Sequence, residues 1–232
     1  MSRSENNTNP NPCTKWFEWS GSTGTLGYYD KERGEKVAIE LPFTFLVLDQ
    51  LATVTGWSDD AQSGIWSNEI RNTKTDVLTV RTKSGIATKG LYEDVKNLNG
   101  ARYAKSIYIA YYDENKELQL GNLKASGACL SAWIEYCKGK DVYKGAVTLE
   151  GGVQAKKGRT VYFSPSFALK ADVSDATDQK AKQLDRALQD YLAKYLHSGT
   201  EEVEQYEDDN QSSPITDNAF YSSNEDDDAI PF

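Results

Sequence analysis

The residues in this chain best placed to do chemistry are aromatic and cationic, and they alternate along extended segments. In residues 101–112 the side chains of a strand would point to opposite faces in turn. Tyr103, Ile107, Ile109 and Tyr111 then make an inward face, and Arg102, Ser106, Tyr108 and Tyr112 an outward one. In residues 75–83, Leu78, Val80 and Thr82 suit a core, which leaves Thr79, Arg81 and Lys83 outward. Lys156, Lys157 and Arg159 surround Gly158 at what should be a hairpin tip, and Trp57 and Trp66 flank a polar loop. Flat aromatic faces that stack bases, beside cations that hold phosphates, are the two ingredients of single-strand binding. Each tyrosine also has a plainer use, because strands favour Tyr for packing alone.

Catalytic chemistry is poorly supplied. The one histidine, His197, falls at the end of a helical segment, where it suits the negative end of the helix dipole, so a His-based triad or a His-rich metal site is not available. Gly139-Lys140-Asp141 lacks both the hydroxyl and the upstream glycine of a phosphate-binding loop. The body acids worth weighing as a metal-dependent nuclease centre are Glu69 with Asp76 and Glu93 with Asp94, and neither spacing demands a metal. The expectation is a non-enzyme without cofactor or metal. Three cysteines without a Cys-x-x-Cys spacing do not make a disulfide framework, and Cys129 and Cys137 sit in an apolar stretch that suits a core.

The charge is distributed unevenly. Residues 200–232 hold 11 Asp and Glu and no Lys or Arg. Subtracting these from the 35 acids leaves 24 against 26 bases, so a body of about +2 precedes a tail of −11 and the net −9 misleads. The last residues are Glu225-Asp226-Asp227-Asp228-Ala229-Ile230-Pro231-Phe232, an acidic run with an apolar tip at the free carboxylate. This end resembles the C-terminal tip of the bacterial single-stranded DNA-binding proteins, which close on a few Asp followed by Ile-Pro-Phe; here Ala229 is inserted. A second stretch, Val147-Thr148-Leu149-Glu150-Gly151 followed by residues 156–165 (Lys-Lys-Gly-Arg-Thr-Val-Tyr-Phe-Ser-Pro), is similar to bacteriophage single-stranded DNA-binding proteins. The resemblance implies an OB-fold, a strand-protecting role in replication, recombination or repair, and a tip that recruits partner proteins. Asp226, Asp227, Asp228, Ile230, Pro231 and Phe232 would then be the partner-binding residues. The ligand would be single-stranded DNA, with RNA as a further candidate. The rival is an acidic-tailed interaction protein that mimics DNA and has no single-strand affinity.

The elements that must position these residues are mostly strands. Strand patterns cover residues 14–19, 25–30, 36–41, 64–71, 75–83, 86–89, 117–124, 142–155, 158–163 and 167–173, with a long apolar one at 42–54 that should bend or bulge. Residues 125–138 have helical spacing, and so do 176–196, after Ser174 and Asp175 as an N-cap pair. Short strands without strand–helix alternation predict a mainly β fold. The expected form is an OB-like barrel with an interior helix and a C-terminal helix over residues 13–198, between a disordered arm at 1–12 and a disordered acidic tail at 199–232. Residues 1–12 lack the apolar core of a signal peptide, and no apolar run is long enough to span a membrane, which predicts a cytoplasmic protein, in a host cell if phage-encoded.

Overall fold

The computed structural model describes residues 10–170 and 173–198. Its spine is one long strand, β4 (Phe43–Ser58), built from the apolar run that the sequence marks as bent. β8 (Ala101–Tyr112) runs antiparallel to it, from Phe45 opposite Tyr111 to Gly56 opposite Ala101. The register slips between Val47 and Asp49, the expected bulge, so the odd positions before it and the even positions after it share a face. On its other edge β4 pairs first with β10 (Ala146–Lys157) and later with β5 (Ser63–Ser67).

The remaining strands are β1 (Lys15–Ser20), β2 (Thr25–Asp30), β3 (Glu35–Ile39), β6 (Leu78–Thr82), β7 (Gly85–Gly90), β9 (Leu118–Ser126) and β11 (Thr160–Lys170). All eleven join one sheet in the order β3-β2-β1-β9-β8-β4-β5-β6-β7, with β10 and β11 branching from β4. The β1–β9 pair is parallel and the other pairs are antiparallel. The sequence separates β11 into two strands around Ser164-Pro165, but the structure runs through them. β11 is an edge strand, where a proline costs no ladder hydrogen bond on its open side.

Three cores divide the sheet. On the inner side Phe17, Phe45, Ile107, Ile109, Leu123 and Trp133 pack together. Trp133 comes from α2 (Gly127–Cys137), which closes that side as its helical spacing predicts. Further along the same side Val54, Ile65, Leu78, Val80 and Val95 make a smaller core for β4–β7 and the one-turn α1 (Tyr92–Val95). On the outer side α3 (Asp175–Ser198) lays Leu188, Tyr191 and Leu192 over Leu51, Tyr108 and Leu120, with Cys13 buried beside them. Ser174 caps α3 by accepting the Thr177 N–H at 3.2 Å. No helix among the described residues is long and apolar enough to cross a membrane.

Candidate nucleic-acid interface

Register brings predicted residues from three strands into one row that crosses five. Arg102 on β8 lies opposite Thr55 on β4. Thr55 lies opposite Trp66 on β5, Trp66 opposite Arg81 on β6, and Arg81 opposite Ile86 on β7. Side chains directly opposite one another share a face. The neighbours on either side of the row's residues, Val54, Ile65, Val80 and Tyr103, belong to the inner core. The row is therefore on the outer face, and four strand spacings of about 4.8 Å make it about 19 Å long. Trp57 and Lys83 stand two residues further along β4 and beyond Arg81, on the same side. Thr79 and its partner Lys89 flank the row on the other side. Four cations (Arg81, Lys83, Lys89, Arg102) and two tryptophans (Trp57, Trp66) thus lie in or beside the row, which itself contains no acid.

The face is open. A side chain added at Gly64, opposite Trp57, would meet no atom within 4 Å. Ile86 is 58 % exposed, and the Lys83 Nζ donates to the Gln62 carbonyl at 3.1 Å, which holds its stem along the edge of the sheet. Ile86 and Thr55 are members that sequence alternation does not find. Alternation tells which face a residue takes but not which residue of the next strand lies beside it. Asp59 and Asp60 are exposed in the β4–β5 turn, beside Trp57.

Two expectations are corrected. Tyr108 does face outward from β8, but α3 covers it, and it is 1 % exposed. Its hydroxyl donates to Glu69 Oε2 at 2.5 Å, and its ring has no free face for a base. The outward tyrosine pair is therefore not formed. Tyr112 is 50 % exposed, but it lies at the far end of β8 from Arg102, and its hydroxyl shares a hydrogen bond of 2.8 Å with Thr177 at the start of α3. Lys156, Lys157 and Arg159 are exposed at the β10–β11 turn, where Gly158 takes φ 59 as a two-residue hairpin loop requires. That turn projects beyond Phe43, away from the end of β4 that bears Trp57. The structure thus groups Trp57, Trp66, Arg81, Lys83 and Arg102, and separates Lys156, Lys157 and Arg159 from them.

The acids weighed for catalysis do structural work. Glu69 lies under the last turns of α3, where burial pushes its carboxyl above the ordinary range against hydrogen bonds from Ser106 and Tyr108. Its backbone N–H donates to the Tyr195 hydroxyl of α3 at 3.0 Å. Ser106 accepts a second bond, from the Asn122 amide at 2.6 Å. Asp49 on β4, beneath the middle of α3, takes both Arg71 nitrogens at 3.2 and 2.9 Å and the Gln189 amide of α3 at 3.0 Å. Burial works against its charge, but these bonds bring its carboxyl below the ordinary range. Asp76 accepts the backbone N–H groups of Arg71 and Asn72, and Asp94 that of Leu91. Among the described residues no group of three or more His, Cys, Asp or Glu is placed to hold a metal.

α3 runs from Tyr112 at its start to Glu69 near its end, so Ser198 leaves the fold on the side of the sheet that carries the row. Asp226, Asp227, Asp228, Ile230, Pro231 and Phe232 lie outside the described residues. No family model matches this chain, and no curated protein or solved structure matches it either.

Proposed function

We propose that this protein binds single-stranded DNA without sequence preference, across the outer face of β4–β8. The observation that carries this reading is the register row Arg102–Thr55–Trp66–Arg81–Ile86. A strand crossing it would meet a cation, a gap, an aromatic face, a second cation and an aliphatic face in turn. Base–aromatic stacking is worth about 1–3 kcal/mol per base and tolerates any base, because every base has a π-face. The cations add a salt-dependent term that is equally blind to sequence.

The order of elements supports an OB-like reading of the barrel. β4, β8 and β9 form a meander, α2 follows, and β10–β11 close as a hairpin, which is the element order of an OB barrel. β5, β6, β7 and α1 would then be an elaborated first loop, and the Gly158-Arg159 turn the last one, the two loops with which OB domains hold oligonucleotides. In the same reading the acidic tail carries the partner-recruiting tip. Phe232 would fill an apolar pocket while Asp226–Asp228 follow a basic ridge on a replication, recombination or repair protein, and Pro231 limits the freedom lost on docking.

The test is a titration of oligo-dT against the full chain and against Trp66→Ala and the double variant Arg81→Ala/Arg102→Ala. Trp66→Ala should weaken binding about 5- to 150-fold, the range of one lost stack. The double variant should lower the log–log salt slope by about 1.4, or about 0.7 for each lost phosphate contact. Wild-type chain that leaves oligo-dT unbound would favour the rival, a DNA-mimicking interaction protein.

A further inference from the structure

We infer that Trp57 and Trp66 form a slot for one base, which leaves its neighbours in the strand and inserts between the two rings. The inference rests on the proposed single-strand reading of the row. It goes beyond that reading by naming the unit the face takes, an unpaired base with both of its faces free. Four outward positions make the slot. Thr55 lies opposite Trp66 and Trp57 opposite Gly64, so the tryptophans occupy one diagonal of a square and the two small residues the other. Diagonal neighbours on adjacent antiparallel strands stand about 7 Å apart. That is about twice the 3.4 Å spacing of stacked bases, the room one flat base needs between two flat rings.

The protein does not fill this space itself. A Cβ at Gly64 would meet no atom within 4 Å, so neither indole is folded over the glycine. On its other flank Trp57 faces Gly100, whose carbonyl accepts the Trp57 backbone N–H at 3.3 Å and which has no side chain to lean on the ring. Among the described residues neither indole makes a ring contact, and neither indole N–H has an acceptor. Trp19 and Trp133 differ in this respect. They spend their indole N–H groups on the Phe163 carbonyl and on Gln50 Oε1, at 2.9 Å each, and serve as packing. Trp57 and Trp66 are half-buried and keep both a ring face and a donor unspent. The Thr55 hydroxyl beside them is also without a partner among the described residues. A hydroxyl both donates and accepts, so it suits the edge of any base.

A base covered on both faces by indoles cannot stack on its own neighbours, so the strand bends where it enters the slot. One chain therefore takes one such base, and the bases on either side meet only the single faces and cations of the row. A base inside a duplex has both faces already covered and must first leave the stack, which costs least for an unpaired base. The slot thus selects for unstacked bases without reading which base is present.

Gly64→Val tests the slot by filling it while both tryptophans stay in place. A Cβ has room there and a β-branched residue suits a strand, so the fold is kept. Wild type, Gly64→Val and Trp57→Ala are titrated with strands of about ten abasic deoxyribose phosphate units, carrying no base, one central adenine or two adjacent adenines. The first adenine should tighten wild-type binding about 5- to 150-fold, the range of one stacked base, and the second should add less than the first. Both variants should lose the gain from the first adenine, and both should bind the fully abasic strand like wild type with the same salt slope. A Gly64→Val or Trp57→Ala chain that keeps the whole gain overturns the slot, and so does a second adenine that adds as much as the first. In either case oligo-dT binding by wild type leaves the single-strand reading standing. If wild type binds neither these strands nor oligo-dT, that reading falls and the inference with it.

Discussion

Replacing Tyr108 by Phe removes one oxygen and separates two roles for this residue. Its hydroxyl is spent on Glu69 Oε2 at 2.5 Å, and its ring lies beneath Leu188, Tyr191 and Leu192 of α3. Phe keeps the ring and its packing, so no cavity opens. The loss is one hydrogen bond to a buried carboxyl group, which leaves Ser106 as a remaining donor to it. A hydrogen bond to a charged group contributes about 1.5–3 kcal/mol. For a folded body of this size, Tm falls by about 2–4 °C per kcal/mol, so the expected drop is about 3–12 °C. Urea denaturation should show a lower midpoint with an unchanged slope, because the surface exposed on unfolding is the same. Oligo-dT affinity should stay within error of wild type. The reasoning is refuted by the opposite pattern, unchanged stability with binding weakened tenfold or more, because that is the behaviour of a base-stacking tyrosine.

Glu69→Gln should change the pH dependence of stability. Burial raises the folded carboxyl above its unfolded value of about 4.3, so the folded state holds the proton more tightly. Wild-type stability therefore loses about 1.4 kcal/mol per unit of that shift as pH rises from the unfolded value through the folded one. The variant should lack this fall and gain on wild type over that window; parallel denaturation curves at each pH would contradict it. Gly100→Ala should cost more than about 3 kcal/mol, from strain at φ 79 together with a Cβ 1.9 Å from the Trp57 carbonyl. A thermal melt unchanged by this substitution would show that the chain crossing at Gly56 and Gly100 is looser than described. Deleting residues 200–232 should tighten oligo-dT binding at low salt, with a gain that shrinks as salt screens the charges. These residues carry 11 acids and no base, so their charge competes with phosphate for the cations of the row. Equal affinity with and without the tail at every salt concentration would remove the tail from the binding account. Deleting Phe232 alone should leave oligo-dT affinity unchanged and abolish capture of partners from a host lysate; undiminished capture would remove the tip as their anchor.

Most of the strands were legible because one face is buried, and β3 and β7, which bury no residue fully, were marked by their turns instead. Leu78, Val80 and Thr82 alternate with Thr79 and Arg81, and the structure buries the first three. The bend of β4 was legible as well, since an apolar run of its length cannot continue straight over one small core. What alternation cannot give is the occupant of an outward face. Tyr108 and Ser106 point outward as expected, yet α3 packs over them, and nothing local in residues 101–112 marks a face that a segment about 80 residues later will cover. Cys13 joins the same core for the same reason. The row itself was half legible. Trp66, Arg81 and Arg102 were candidates on three separate strands, but their adjacency depends on register, set by the β4 bulge and the Gly56–Gly100 crossing. The separation of Lys156, Lys157 and Arg159 from them follows from β10 leaving β4 at its opposite end.

Photo-crosslinking locates the bound strand on the protein. An oligonucleotide carrying 5-bromouracil is bound to the full chain and irradiated, and the crosslinked peptides are sequenced. Attachment is expected at Trp66 or Trp57, on the outer face of β4 and β5, and not at Tyr108. Crosslinks confined to residues outside β4–β8 and the β10–β11 turn, or a chain that binds no oligonucleotide at all, would contradict that expectation.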